Sequence, residues 1–143
     1  MSRRMFKFTI LTVEKTIFEG DVYSIEVPGA DGYFEILTHH APLIALIQPG
    51  KLEITPQPNG PKSLYAVSGG FFEVSKNNAT LFADDIELAS AIDIQRAEIA
   101  QNKALKLIES PLPDTNLERA NQSLKRAKNR IAVYLEGNIK VPT

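Results

Sequence analysis

The chain has 143 residues, 43% of them apolar and 23% charged, with a formal net charge of −1. That is the composition of a globular protein with room for one ordinary domain, or a small domain and an appendage. It has no cysteine, which excludes disulfides and thiolate metal sites, and it has no apolar run near the ~20 residues that cross a bilayer. The basic start, Met1-Ser2-Arg3-Arg4-Met5-Phe6, lacks a long apolar core and is not read as a signal peptide.

Phe6-Lys7-Phe8-Thr9-Ile10 alternates apolar with polar, as a half-buried strand does. Tyr23–Val27 repeats the pattern and stops at Pro28-Gly29, and Tyr33–Leu37 is a third strand. Leu43–Ile47 is an apolar run that fits a buried strand, turned by Pro49-Gly50, and Lys51–Thr55 alternates again. Asn59-Gly60 signals a hairpin, because both residues tolerate the positive φ of a tight primed turn. Leu64–Val67, Phe71–Val74 and Ala79–Ala83 complete the series, the last two joined by Lys76-Asn77-Asn78. About 8–10 short strands at regular spacing predict an antiparallel β-sandwich or flattened barrel.

From residue 90 the period changes to that of helices. Ser90 and Asp93 form an N-terminal capping pattern, and Ala97, Ala100, Ala104, Leu107 and Ile108 fall on one stripe. Pro111-Leu112-Pro113 ends this helix, and Asp114 or Thr115 caps the next, with Glu118 at capping-box spacing from Thr115. Leu117, Ala120, Leu124, Ala127, Ile131 and Tyr134 make the second stripe, and Gly137 is expected to stop it. Two helices joined by a Pro-containing turn predict a C-terminal antiparallel two-helix hairpin. Its alanine seam buries little area at roughly 25 cal/mol per Å², so the hairpin is loosely held or, as the equal alternative, permanently docked. The expected division is a sandwich over 1–88 and a hairpin over 89–143. Charge divides similarly. Residues 1–90 hold 7 Lys/Arg and 11 Asp/Glu, residues 91–143 hold 9 and 6, giving −4 and +3, which points to modules with different partners. The basic excess is too small, and too poor in aromatic neighbours, to indicate nucleic acid.

No catalytic constellation stands out. There is neither a Gly-x-x-x-x-Gly-Lys phosphate loop nor a Gly-x-Ser-x-Gly elbow. His39 and His40 are adjacent, so on a strand they point to opposite faces and share no metal. On the second helix Arg119, Arg126 and Arg130 lie within about 40° of one another at 100° per residue. Like charges in one stripe repel by a few tenths of a kcal/mol per pair, and an acidic group or a phosphate is their natural partner. On the first helix Asp93 faces the seam with Arg96 and Lys103 beside it. These residues make either a small polar nucleotide site between the helices, or simply a helix cap in which Asp93 pairs with Arg96.

Several runs resemble one family. Phe34-x-Ile36-Leu37 followed by His40-Ala41-Pro42-Leu43, then Ser68-Gly69-Gly70-Phe71-x-Glu73-Val74, then Ala83, Glu87 and Ile92-Asp93, resemble in order the epsilon subunit of the F-type ATP synthase, called delta in mitochondria. The resemblance covers nearly the whole chain. Glu35 stands where the family has Gly, and Thr38-His39 where it has Pro-Gly, so the turn before His40 is expected to be built differently.

The resemblance implies a non-catalytic rotor subunit that needs no cofactor or metal. Its sandwich would grip the gamma stalk and sit on the c-ring, with Phe34, His40, Pro42 and Leu43 in the rotor contact. Its hairpin would meet the head of alpha and beta subunits, with Arg119, Arg126 and Arg130 on an acidic segment of beta, and would inhibit ATP hydrolysis. Ile92-Asp93-Ile94-Gln95-Arg96-Ala97 is similar to the ATP-binding motif of some bacterial members, which implies ATP as a regulatory ligand held by Glu87, Asp93, Arg96, Lys103, Arg126 and Arg130. Lys103 replaces an Arg found in such members and lacks its bidentate fork. The implied location is the cytoplasmic face of a bacterial plasma membrane, or a thylakoid, reached only through the complex. The rival reading is a free ATP-sensing adaptor without a motor; co-purification with gamma separates the two.

Overall fold

A computed structural model describes residues 4–138. Ten strands come first: β1 (Phe6–Leu11), β2 (Thr16–Val22), β3 (Ser24–Gly29), β4 (Gly32–Ile36), β5 (Leu43–Ile47), β6 (Gly50–Thr55), β7 (Ser63–Val67), β8 (Gly70–Ser75), β9 (Asn78–Ala83) and β10 (Ile86–Leu88). A 3-10 turn over Ala89–Ala91 leads to α1 (Ile94–Glu109) and α2 (Leu117–Asn138). The sandwich-then-hairpin order expected from the periodicities is the order found. β2 and β10 are additions: Gly20 and Asp21 interrupt the alternation of β2, and β10 is three residues long.

The hydrogen-bonded order is β10-β7-β6-β3-β5-β8-β9-β1-β2, with β4 on the other edge of β3. β3 meets β5 at one pair only, Gly29 with Ile47. The sheet therefore folds there into two five-stranded layers, β4-β3-β6-β7-β10 and β5-β8-β9-β1-β2. All pairings are antiparallel except β1 with β9, which run parallel from Lys7↔Asn78 to Leu11↔Phe82. Phe8, Ile10, Phe72 and Leu81 from one layer meet Ile25, Val27, Ile36, Leu52 and Ile54 from the other, all at most 1% exposed. Phe34 reaches across, its ring edge-on to Phe72 at 5.6 Å.

The tight primed turn lies between β8 and β9, where Lys76 and Asn77 take φ of 50° and 63°. At Asn59-Gly60 the chain instead makes a longer loop. Only Asn59 has positive φ, and the Gly60 N–H donates to the Gln57 carbonyl at 3.0 Å. The helix ends also differ from expectation. Asp93, not Ser90, caps α1, accepting from the Arg96 N–H at 3.1 Å. Asn116 caps α2 through Arg119 N–H at 3.0 Å, while Thr115 Oγ1 accepts from the Leu112 N–H. α2 runs through Gly137 rather than stopping there.

The hairpin seam is buried at Ala97, Ala104, Ala120 and Ala127. α2 has a second buried face, at Val133, which joins Ala66, Ala89 and Ile92, with Leu64 and Tyr134 packed alongside. Through it the hairpin lies on the outside of the β6-β7-β10 layer.

Candidate functional site

The residues expected to act on the hairpin are divided by the fold. Arg130 is held against the sandwich: its Nε is 2.6 Å from Glu87 Oε1, and its Nη2 donates to Glu87 Oε2 at 3.2 Å. Glu87 lies on β10, so this pair joins the two modules. Asp93 spends one carboxylate oxygen on the Arg96 backbone, leaving the Arg96 side chain exposed. Arg126 is exposed, and Lys103 and Arg119 stand at the far end of the hairpin on an open cleft of about 570 Å³, floored by Ala100, Ala104 and Leu107. Among the described residues, Arg130 is the one stripe arginine with a carboxylate partner.

Other polar contacts fasten α2 to the sandwich. Asn129 donates its amide to the Gly50 carbonyl at 2.9 Å and to the Val67 carbonyl at 3.3 Å. Asn138 donates to the Ala89 carbonyl at 3.2 Å, and Lys125 to the Gln48 side chain at 3.4 Å. Lys51 bonds Glu136 at 2.8 Å and lies 3.5 Å from Glu53, which Lys62 reaches at 2.8 Å. The Glu136 bond chiefly, and Glu53 with it, hold the Lys51 ammonium above its ordinary pKa against the effect of burial. Burial pushes the Glu53 carboxyl up, but the bonds and charges of Lys62 and Lys51 outweigh it, and the net shift is down. Gly137 lies directly on the 3-10 turn: a Cβ there would stand 2.5 Å from Ala89 Cβ. Apart from its small apolar cluster, this junction is made of amide bonds and half-exposed ion pairs, each worth little. Neither Lys51 nor Glu136 belongs to a motif, and the contacts of Lys51, Asn129 and Glu136 were not readable from the sequence.

Among the described residues nothing covers the opposite layer. On its outer face Leu46, Phe71, Phe82 and Leu11 are registered side by side across β5, β8, β9 and β1. Phe71 and Phe82 stack at 4.6 Å, and Leu46 and its neighbour Ile44 are 72% and 76% exposed. Of the four residues expected at the rotor contact, Phe34 and Leu43 are partly buried against the core, His40 is half-buried and Pro42 is exposed; His40 and Pro42 belong to the segment between β4 and β5. They lie in a turn where His39, at φ 60°, takes the backbone position a glycine favours. Asn77 supports it, accepting from the His39 N–H at 2.7 Å and donating to the Met5 carbonyl at 3.0 Å. His40 Nδ1 lies 2.6 Å from the Ala41 carbonyl, which only accepts, so that nitrogen carries the proton.

A sandwich with a helical hairpin on one outer layer and a bare apolar row on the other defines a two-module class. Residues 5–89 match the family described as ATP synthase, Delta/Epsilon chain, beta-sandwich domain, and residues 90–134 match its long alpha-helix domain. The chain belongs to the ATP synthase delta/epsilon chain family. It is 50% identical over 132 residues to the ATP synthase epsilon chain of Protochlamydia amoebophila, covering 92% of this chain and 89% of that one. The epsilon chain of Desulforamulus reducens is 37% identical over 125 residues, covering 87% and 93%. In fold, the chain is similar to one in the cryo-EM structure of the Euglena gracilis mitochondrial ATP synthase, OSCP/F1/c-ring in rotational state 1. The TM-score is 0.78 at 21% identity, over 93% of this chain and 80% of that chain.

Proposed function

We propose that this chain is a non-catalytic central-stalk subunit of a proton-translocating F-type ATP synthase, linking the catalytic head to the membrane ring. The observation that carries the reading is the uncovered row of Ile44, Leu46, Phe71 and Phe82, since an apolar patch on a small soluble domain marks a protein interface. The gamma stalk is the partner assigned to it, and the turn carrying His40 and Pro42 is assigned to the c-ring. Among the described residues no helix is long and apolar enough to cross a membrane. Association with the cytoplasmic face of a bacterial plasma membrane is therefore assigned to the complex.

The hairpin is assigned the regulatory role. Arg119 and Arg126 are exposed in the docked state, while Arg130 is neutralised by Glu87. Release from the sandwich frees the third charge and completes a basic stripe for the acidic segment of beta. The test is the assembled complex with residues 89–143 deleted. ATP hydrolysis should rise severalfold, with the shortened subunit still folded and bound to gamma. Unchanged hydrolysis removes the inhibitory role and leaves the stalk role standing.

ATP is the proposed regulatory ligand of the hairpin. Arg126 offers an exposed guanidinium to its phosphates, with Arg96 and Lys103 as further cations and Asp93 assigned to the base, the ribose or the orientation of Arg96. A charge-assisted contact is worth about 1.5–3 kcal/mol, so Arg126→Ala should weaken ATP binding roughly ten- to a hundredfold in a calorimetric titration. Equal affinities for the two proteins would leave Asp93 as a helix cap only.

A further inference from the structure

Three separate segments meet at the end of the sandwich where β1 begins. Residues 37–42 leave β4 in one layer and enter β5 in the other. Lys76 and Asn77 close the β8–β9 hairpin, and Met5 precedes β1. One side chain, that of half-buried Asn77, joins all three. Its Oδ1 accepts from the His39 N–H at 2.7 Å and lies 3.3 Å from the Thr38 hydroxyl. Its Nδ2 donates to the Met5 carbonyl at 3.0 Å, and its backbone carbonyl accepts from the Lys7 N–H at 3.1 Å. The partners fix which way the amide points, since the His39 N–H only donates and the Met5 carbonyl only accepts.

Closing the hairpin does not by itself call for this side chain. Asn77 has φ of 63°, a conformation that glycine adopts as readily. The segment it braces is the one that needs support. His39, at φ 60°, carries a β-carbon in the left-handed region. Among the described residues, every side-chain hydrogen bond that ties residues 37–42 to another element runs to Asn77 or Met5. An acceptor aimed at the His39 N–H and the Thr38 hydroxyl holds this turn without a glycine.

We propose that Asn77 is a positioning residue for the surface that meets the membrane ring. The proposal rests on the assignment of the turn carrying His40 and Pro42 to that ring. Asn77 acts through the turn: it fixes the backbone at Thr38 and His39, and with it the direction in which His40 and Pro42 leave the sandwich. The hairpin that carries Asn77 is closed by two residues and bonded to β1, which makes it a stiff support. Thr38, His39 and Asn77 form a matched set. A side chain from another pair of strands supplies the rigidity that proline followed by glycine supplies in a turn whose third residue has positive φ.

The test uses membrane vesicles holding the complex depleted of this subunit and titrated with it. Asn77→Gly keeps the β8–β9 turn and removes the brace. The subunit concentration that restores half of ATP-driven proton pumping should rise about tenfold, the effect of one or two hydrogen bonds, while affinity for isolated gamma stays at the parent value. Lys76→Gly changes the same turn, at φ 50°, without removing the brace, and should match the parent in both assays. Adding Thr38→Pro and His39→Gly to Asn77→Gly should restore pumping, because the turn is then held by its own residues. Amide exchange at His39 should accelerate in Asn77→Gly and not in Lys76→Gly, and a cooperative thermal transition shows that Asn77→Gly folds. Equal pumping by Asn77→Gly and Lys76→Gly overturns the proposal, and so does a parallel loss of gamma affinity in Asn77→Gly, which marks a general loss of structure. Pro42→Asp separates the proposal from the reading beneath it. Unchanged pumping in Pro42→Asp overturns the assignment of the turn to the ring. Impaired pumping in Pro42→Asp with normal pumping in Asn77→Gly overturns the positioning role alone.

Discussion

Gly70→Ala should unfold the sandwich at markedly lower urea, losing about 3–5 kcal/mol. Gly70 has φ of 139°, where a side chain is strained, and a Cβ there would collide with the Phe82 carbonyl oxygen in the neighbouring strand. β8 lies between β5 and β9, so backbone displaced at Gly70 disturbs two ladders and the Phe72 side chain in the core. Gly20→Ala is the internal comparison. A Cβ at Gly20 meets nothing closer than 3.5 Å from Phe18, so that change should be near neutral. Equal urea midpoints for the two variants would sink the claim that the Ser68-Gly69-Gly70-Phe71 run exists to pass one strand tightly against another.

Gly137→Val should lift the hairpin off the sandwich. Valine's helix propensity is only a few tenths of a kcal/mol better than glycine's, so the substitution reads the collision with Ala89 almost alone. The obstructing atom is a Cβ, fixed to the backbone of the 3-10 turn, and it cannot swing aside. Overpacking of this kind costs about 1–3 kcal/mol, which is large against a junction made of a few amide bonds and half-exposed ion pairs. Amide hydrogen exchange should accelerate roughly ten- to a hundredfold in Ala89–Ile92 and α2 while β8 and β9 keep their protection. Unchanged exchange in α2 would show that the junction is stronger than its contacts indicate.

The two modules were legible in the sequence because period 2 and period 3.6 are global signals, summed over many residues. Ends and turns were less so, because they are settled by single contacts. Asp93, Ser90, Asn116 and Thr115 are all capable caps, and which one serves depends on where the following helix lies. Gly137 reads as a stop, yet the close approach to Ala89 makes it the residue that lets α2 continue. Asn59-Gly60 has the composition of a primed turn, but the turn formed at Lys76-Asn77, because Ser75 and Asn78 are in register and leave two residues to close the hairpin. Of the candidate site, the grouping of arginines was visible as helical spacing. The Glu87–Arg130 pair as an intermodule fastener was not, since spacing along one helix says nothing about which strand it will meet. The bonds of Asn77 to His39 and Met5 were equally hidden, because they join segments that only the closed sandwich brings together.

The parallel pairing of β1 with β9 dictates how the protein is made as well as how it looks. Phe8 meets Ala79, so the first strand has no inner neighbour until most of the sandwich has been synthesised. At about 5–20 residues per second, that strand waits several seconds on the ribosome with β2 as its only partner. Closing so long a loop before any reward also places the sandwich among slow folders. The alanine-seamed helices need only near neighbours and form fast, but they are synthesised last, after the surface that receives them, β6-β7-β10, is complete at residue 88. Assembly order is thus written into the topology: every sandwich strand is made before either helix, and docking comes last. The newborn chain passes through the hairpin-free state that its regulation is proposed to revisit.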